Sequence, residues 1–200
     1  MKGDTRFSDS RRLAHDWYDG VIPDNVTFDS SNFIETSYSF RLFRSRMEHA
    51  LTLGRSASIY ANTMFDLGPR ACVEMGAFSM LNGAAIICDE AIHIGDYGLI
   101  SWNVLLMDNY RAPRSIMKRR AYLHALLSNE PGVMDLQTLP RPITIGANVW
   151  IGHDSVVLPG VSIGTGSIVG ARSVVSVSIP DFAIAVGNPA RVIRYLEPQH

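Results

Sequence analysis

Toward the end of the chain, apolar residues recur at every sixth position. Ile145, Ile151, Val157, Ile163, Val169 and Val175 stand six apart without a gap. A small or β-branched residue sits four places after each: Val149, Ser155, Val161, Ser167, Ser173 and Ile179. Glycine follows directly at Gly146, Gly152, Gly164 and Gly170. A period of six is neither the 3.6 of an amphipathic helix nor the 2 of a half-buried strand. It predicts a very short strand and a tight turn, repeated. β-Branched residues suit the strands, and the glycines are expected to supply φ > 0 at the turns. A β-sandwich is the alternative, but its strands alternate with period two and fix no glycine every sixth residue.

The same frame runs backwards in groups of three: Phe28–Ile34–Phe40, Leu53–Ile59–Phe65, Met75–Leu81–Ile87 and Ile94–Ile100–Leu106. With the two C-terminal groups this makes six coils of 18 residues. The extra residues fall after the third hexad of a group, at 41–50, 66–72, 88–91 and 107–142. A three-sided coil would therefore shed its insertions at one corner, stacked coil over coil, where solenoids commonly build a binding face. The expected architecture is an all-β solenoid, a parallel β-helix of about six three-sided coils with a long loop at 107–142. Its organisation is an N-terminal extension over 1–25, the β-helix over 26–180, and a tail over 181–200. Three segments break the pattern and are read as short helices: 8–18, 115–128 and 188–196. In the last, Pro189 suits a first helical turn.

Composition sharpens this picture. Of 200 residues, 46% are hydrophobic and 18% charged, against about 25% charged in a typical domain. Charge is concentrated, with 15 charged residues in 1–50 and nine in 107–142, but only Asp154 and Arg172 in 143–180. So long a poorly charged stretch must hide most of its surface or be covered by a partner. The net charge of -1 gives no reason to expect nucleic-acid binding. No apolar run approaches the roughly 20 residues that span a bilayer. The charged N-terminus lacks a secretory apolar segment. Cys72 and Cys88 read as small core residues in a reducing, cytoplasmic setting, with a single disulfide as the alternative.

The hexads, followed by SIPDFAIAVGNPARVIRYL, resemble the hexapeptide-repeat acyltransferases with a left-handed parallel β-helix. The likeness is greatest to the galactoside, maltose and nodulation-type O-acetyltransferases. It is strong over 143–196 and fair over 73–106. The resemblance implies left-handed coils, an exception to the usual right-handed crossover. It also implies a homotrimer, with acetyl-CoA as co-substrate between neighbouring prisms, a small-molecule acceptor and no metal. His153 in WIGHDSV, Gly170 and Ala171 in VGARSVV, and Ser176 with Val177 match the family's cofactor contacts. Arg191 and Arg194 in NPARVIR match basic residues that meet the nucleotide phosphates, three apart on one helical face. Trp150 matches a frequent family tryptophan near the active site. Asn82 in MLNG matches a residue that hydrogen-bonds the acceptor, and Asp89 or Glu90 an acidic one.

One position departs from the family. Catalysis there uses a histidine on the corner loop after the strand that ends at Leu106. This chain reads VLLMDNYRAPRS, with Arg111 at that position. Arginine cannot act as a base at neutral pH. Three residues are candidate replacements: His124 in the long insert, Asp108, whose pKa burial could raise, and His93 at the preceding coil's corner, which reads rather as a solvent-facing strand residue. Arg111 itself is then a candidate acceptor contact. Two other function classes stay open. A β-helix that kept its shape and lost its base would be a binding or scaffold protein. A metal-dependent hydratase of the same fold would need three histidines, but Leu158 stands where the second is required.

Overall fold

The computed structural model describes residues 7–9, 11–60, 62–128 and 138–198. Short strands lie in three parallel sheets, and each coil after the first gives one strand to each sheet. The first face holds Val26–Thr27, Leu51–Leu53, Cys72–Met75, Ala91–Ile94, Ile143–Ile145 and Ser162–Ile163. The second holds Phe33–Ile34, Ser58–Tyr60, Met80–Asn82, Leu99–Ile100, Trp150–Ile151 and Ile168–Val169. The third holds Met64–Leu67, Ala85–Cys88, Leu105–Met107, Val156–Val157 and Val174–Val175. In the first coil a 3-10 turn, Ser37–Phe40, occupies that side. The count of six coils agrees with the hexads.

The hexad residues form the core. Ile59, Phe65, Leu81, Ile100, Leu106, Ile151, Val157 and Val169 are fully buried, and their ladder partners stack on one another. Removing one such side chain to alanine costs about 2–5 kcal/mol. The frame slips once. Ile86, not Ile87, points inward and pairs with Phe65 and Leu106. The corner after Leu81 is one residue short there, and Gly83 turns it at φ 68° while donating to Thr63 Oγ1. Phe28 packs against the core only partly buried.

The repeat glycines have a different job from the one expected. Gly146, Gly152, Gly164 and Gly170 are not the φ > 0 residues. Asn148, Asp154, Gly166 and Arg172, two places further on, are. A Cβ on Gly152 would stand 2.6 Å from the Ala171 backbone N, and one on Gly146 2.7 Å from that of Thr165. The glycines let successive coils approach closely at the corner.

The long insert carries helix α1, Ile116–Ser128, close to the expected bounds. The other two expected helices are absent. Phe7–Asp9 pairs antiparallel with Arg12–Leu13. The segment after it turns and is held by side chains: Arg11 donates to the carbonyls of Pro23, Asp24 and Val26, and Asp16 accepts from Thr36 and Ser37. At the other end, Ala183–Val186 pairs parallel with the sixth coil as the start of a seventh, and Arg191–Tyr195 returns antiparallel along it. That return covers an edge the last coil would otherwise leave open.

The outer surfaces of the three faces differ. The first presents Thr52, Glu74, His93, Thr144 and Ser162 in register. The second presents Met80, Leu99, Trp150 and Ile168. The third presents Met64, Ala85, Leu105, Val156 and Val174.

Candidate functional site

The insertions stack at the corner between the third and first faces, as their spacing predicts. Four charges meet there. The Arg111 guanidinium reaches Asp89 with two nitrogens, Nη2 to Oδ1 at 2.8 Å and Nε to Oδ2 at 3.0 Å. Its Nη1 lies 2.8 Å from Asp66 Oδ2, and Arg44 reaches the other Asp66 oxygen at 2.5 Å. Arg111 Nη2 also donates to the carbonyls of Asp66 and Cys88. Burial disfavours the guanidinium charge, but the hydrogen bonds and charges of Asp89 and Asp66 outweigh it and raise the Arg111 pKa. The position where the resemblance implies a histidine is thus held by a permanently charged residue with its donors engaged.

Asp108 is fully buried at the same corner. Its carboxylate accepts from the backbone N–H groups of Asp89, Glu90 and Ala91, and Cys88 Sγ lies 3.3 Å away. Burial raises its pKa, and the N–H donors work against that rise. The Cys88 thiol is pushed far up by burial and by Asp108. The expectation of Asp108 as a catalytic base does not fit this placement. It has no exposed surface and caps the 88–91 loop. Asn109 works beside it, donating to Asp89 Oδ2 at 2.8 Å and Thr138 Oγ1 at 2.9 Å, so it ties both arms of the long insert to the corner.

Between those arms lies a cleft of about 480 Å³, within the usual range for small-molecule sites. Tyr110, Arg114, Lys118, Thr138, Arg141 and Pro159 are among its walls. His124 is exposed on α1, six residues beyond Lys118, and is not among the lining residues.

The remaining predicted residues fall in three places. Asp89 and exposed Glu90 share the insert corner with Arg111, whereas Asn82 ends a second-face strand at the next corner. His153, Gly170 and Ala171 lie at that same second-to-third corner, two and three coils further on. Asp154 beside His153 bonds Asn103 at 3.1 Å and lies 3.6 Å from Arg172. A Cβ on Gly170 would stand 2.7 Å from Val186 Cγ1. Ser176 and Val177 are exposed where the chain leaves the third face. Trp150 is 47% exposed on the second face, its Nε1 donating to Ser101 Oγ.

Arg191 and Arg194 sit on a strand rather than a helix, so the shared helical face is replaced by another device. Arg194 opposes Ile184 and Arg191 opposes Val186, with a bulge between them. Ile184 and Val186 are two apart and share a side. The bulge therefore keeps both arginines on the outer side. Sequence reasoning missed Asp66, Arg44 and Asn109. The only signal for them was polar residues at the start of a corner insertion.

Residues 142–176 match the family model described as bacterial transferase hexapeptide (six repeats). The chain is 32% identical to galactoside O-acetyltransferase of Escherichia coli over 143 residues. That alignment covers 72% of this chain and 63% of the relative, less than two thirds of its length. Among solved structures, a hexapeptide-repeat acetyltransferase of Vibrio cholerae complexed with acetyl coenzyme A superposes with TM-score 0.60 at 25% identity, covering 74% of this chain and 72% of that one. A maltose O-acetyltransferase of Clostridium difficile superposes with TM-score 0.51 at 25% identity, covering 84% and 67%. The repeat, the three parallel sheets and these relatives agree, and the chain carries the hexapeptide-repeat, left-handed parallel β-helix fold that these acetyltransferases share.

Proposed function

We propose that the protein is an acyl-CoA-dependent acyltransferase that moves an acetyl group to a hydroxyl of a sugar-like or other small acceptor. The observation that carries this reading is the identity to a galactoside O-acetyltransferase across 72% of the chain. The acceptor oxygen attacks the thioester carbonyl while a base takes its proton. The tetrahedral intermediate then collapses with cleavage of the C–S bond, and the departing CoA sulfur takes the proton back from the base to leave as a thiol. Outward-facing Arg191 and Arg194 suit nucleotide phosphates, since guanidinium pairs well with them. Exposed Ser176 and Val177, with His153, Gly170 and Ala171, are the other cofactor contacts in this reading. Asn82, Asp89 and Glu90 are the acceptor contacts. We assign Arg111 to holding the corner together.

The cofactor set lies on separate corners of one prism, so the site is read as completed between copies in a homotrimer. The apolar outer surfaces of the second and third faces support that assembly. The base is assigned to His124, because Asp108 is enclosed. A cytoplasmic setting is supported by the two free cysteines. Among the described residues no helix is long and apolar enough to cross a membrane.

A thiol-release assay with acetyl-CoA and a panel of sugars tests the proposal. Turnover is expected, with kcat falling by about 10² or more in His124→Gln and the acetyl-CoA KM unchanged. A second reading, a binding protein that lost its base, is favoured by the engaged Arg111. No turnover with any acceptor, alongside retained sugar binding, would support that second reading instead.

A further inference from the structure

Among the described residues, the cleft between the arms of the insert has a one-sided charge. Arg114, Lys118 and Arg141 line it, and no acidic residue is among its described lining residues. Among the described residues, the carboxylates nearby do not cancel this. Asp66 and Asp89 are matched by Arg44 and Arg111. Asp108 is enclosed by its own N–H donors, and Glu90 lies one coil away without lining the cleft.

Arg141 is placed by the fold. Its N–H donates to the Asp108 carbonyl at 2.8 Å, and its own carbonyl accepts from Gly160 at 2.9 Å. Its side chain lies over Gly160, where a Cβ would come within 3.2 Å of the arginine Cβ and 3.3 Å of Nε. Gly160 has φ +83°, so no larger residue is readily accommodated there. Thr138 is fixed by Asn109, and the Tyr110 ring, 47% exposed, forms part of the same wall. The cleft thus offers an arginine anchored through its backbone, two further cations, a hydroxyl and an aromatic surface.

We propose that this cleft binds the anionic group of the acceptor, so that the preferred acceptor is a sugar-like molecule carrying a phosphate or carboxylate rather than a neutral sugar. The proposal rests on the acyl-transfer reading only in calling the ligand an acceptor. A phosphate could equally come from the nucleotide half of CoA, and the test separates the two sources.

Calorimetry without any acyl donor compares glucose 6-phosphate with glucose, galacturonate with galactose, and includes adenosine 3′,5′-bisphosphate. At least one anionic sugar is expected to bind about tenfold or more tighter than its neutral partner, as charge-assisted hydrogen bonds predict. Arg114→Met/Arg141→Met, with an unchanged circular dichroism spectrum and melting temperature, is expected to erase that preference. Adenosine 3′,5′-bisphosphate binding should be unaffected. Lys118→Met is a milder variant if the double one misfolds. Equal binding of charged and neutral sugars, or a preference that survives the variants, overturns the proposal. Loss of bisphosphate binding alone assigns the cleft to the nucleotide and overturns it too. Anionic-sugar binding without thiol release would leave the cleft standing and sink the acyl transfer. Neutral-sugar acetylation indifferent to the cleft variants would do the reverse.

Discussion

Arg111 occupies a position where the resemblance implies a base, and its surroundings explain what an arginine does there. Two carboxylates from different coils converge on it, and its fork suits the bidentate contact with Asp89. Arg111→Met would leave Asp66 and Asp89 half-buried, with Arg44 on Asp66 as the one remaining ion pair among the described residues. We expect a loss of roughly 2 kcal/mol in urea unfolding, and recovery of much of it in Arg111→Met/Asp89→Asn. Equal stability of the single variant would contradict the latch. The departure itself was legible in the sequence, because the frame fixes which residue follows Leu106. Its partners were not. Asp66 and Asp89 are 45 and 22 residues away, and their stacking depends on how each insertion folds. The glycines were misread for a related reason. A strip of sequence shows a glycine every sixth residue, but not that the next coil's backbone is the atom it must admit.

At the scale of elements, the inward strands were legible because burial on one side repeats every six residues. The slip at Ile86 came from one shortened corner, which a strict period cannot see. The termini were misread because neither repeats. The tail reads as a helix from Pro189, yet the last coil needs an edge partner, and Val192 and Ile193 suit a strand. The N-terminal segment has no helical face and is fixed by polar contacts instead. Asp16 is central. Burial raises its pKa, but hydrogen bonds from Ser37 and Thr36, and from the backbone of Tyr18 and Ser37, outweigh it and hold the carboxyl below the usual range. A depressed carboxyl stabilises above its unfolded pKa, about 3.9, and that contribution is lost as pH falls through the folded value. Proteolytic cleavage within residues 11–20 is therefore expected to accelerate below about pH 4. Asp16→Asn should be cleaved readily at neutral pH and show little pH dependence. Identical cleavage of both proteins at pH 7 would contradict this role.

The whole molecule divides its surface by use. One face is polar, two are apolar, and the charges gather at the insert corner and the N-terminal segment. The low charge of 143–180 is explained by this division, since those coils supply most of the small corner residues and much of the apolar outer surface. Helix α1 follows the same logic in reverse. Its apolar residues Ile116, Met117, Leu123 and Leu127 are exposed, and it stands off the prism on the insert. What the whole-molecule reading requires first is that the protein takes up the acyl donor. Calorimetric titration of the purified protein with acetyl-CoA tests this most directly. The account predicts saturable binding of one acetyl-CoA per protomer, weakened about tenfold or more when Arg191 and Arg194 are both replaced by alanine. No binding heat at millimolar acetyl-CoA would contradict it.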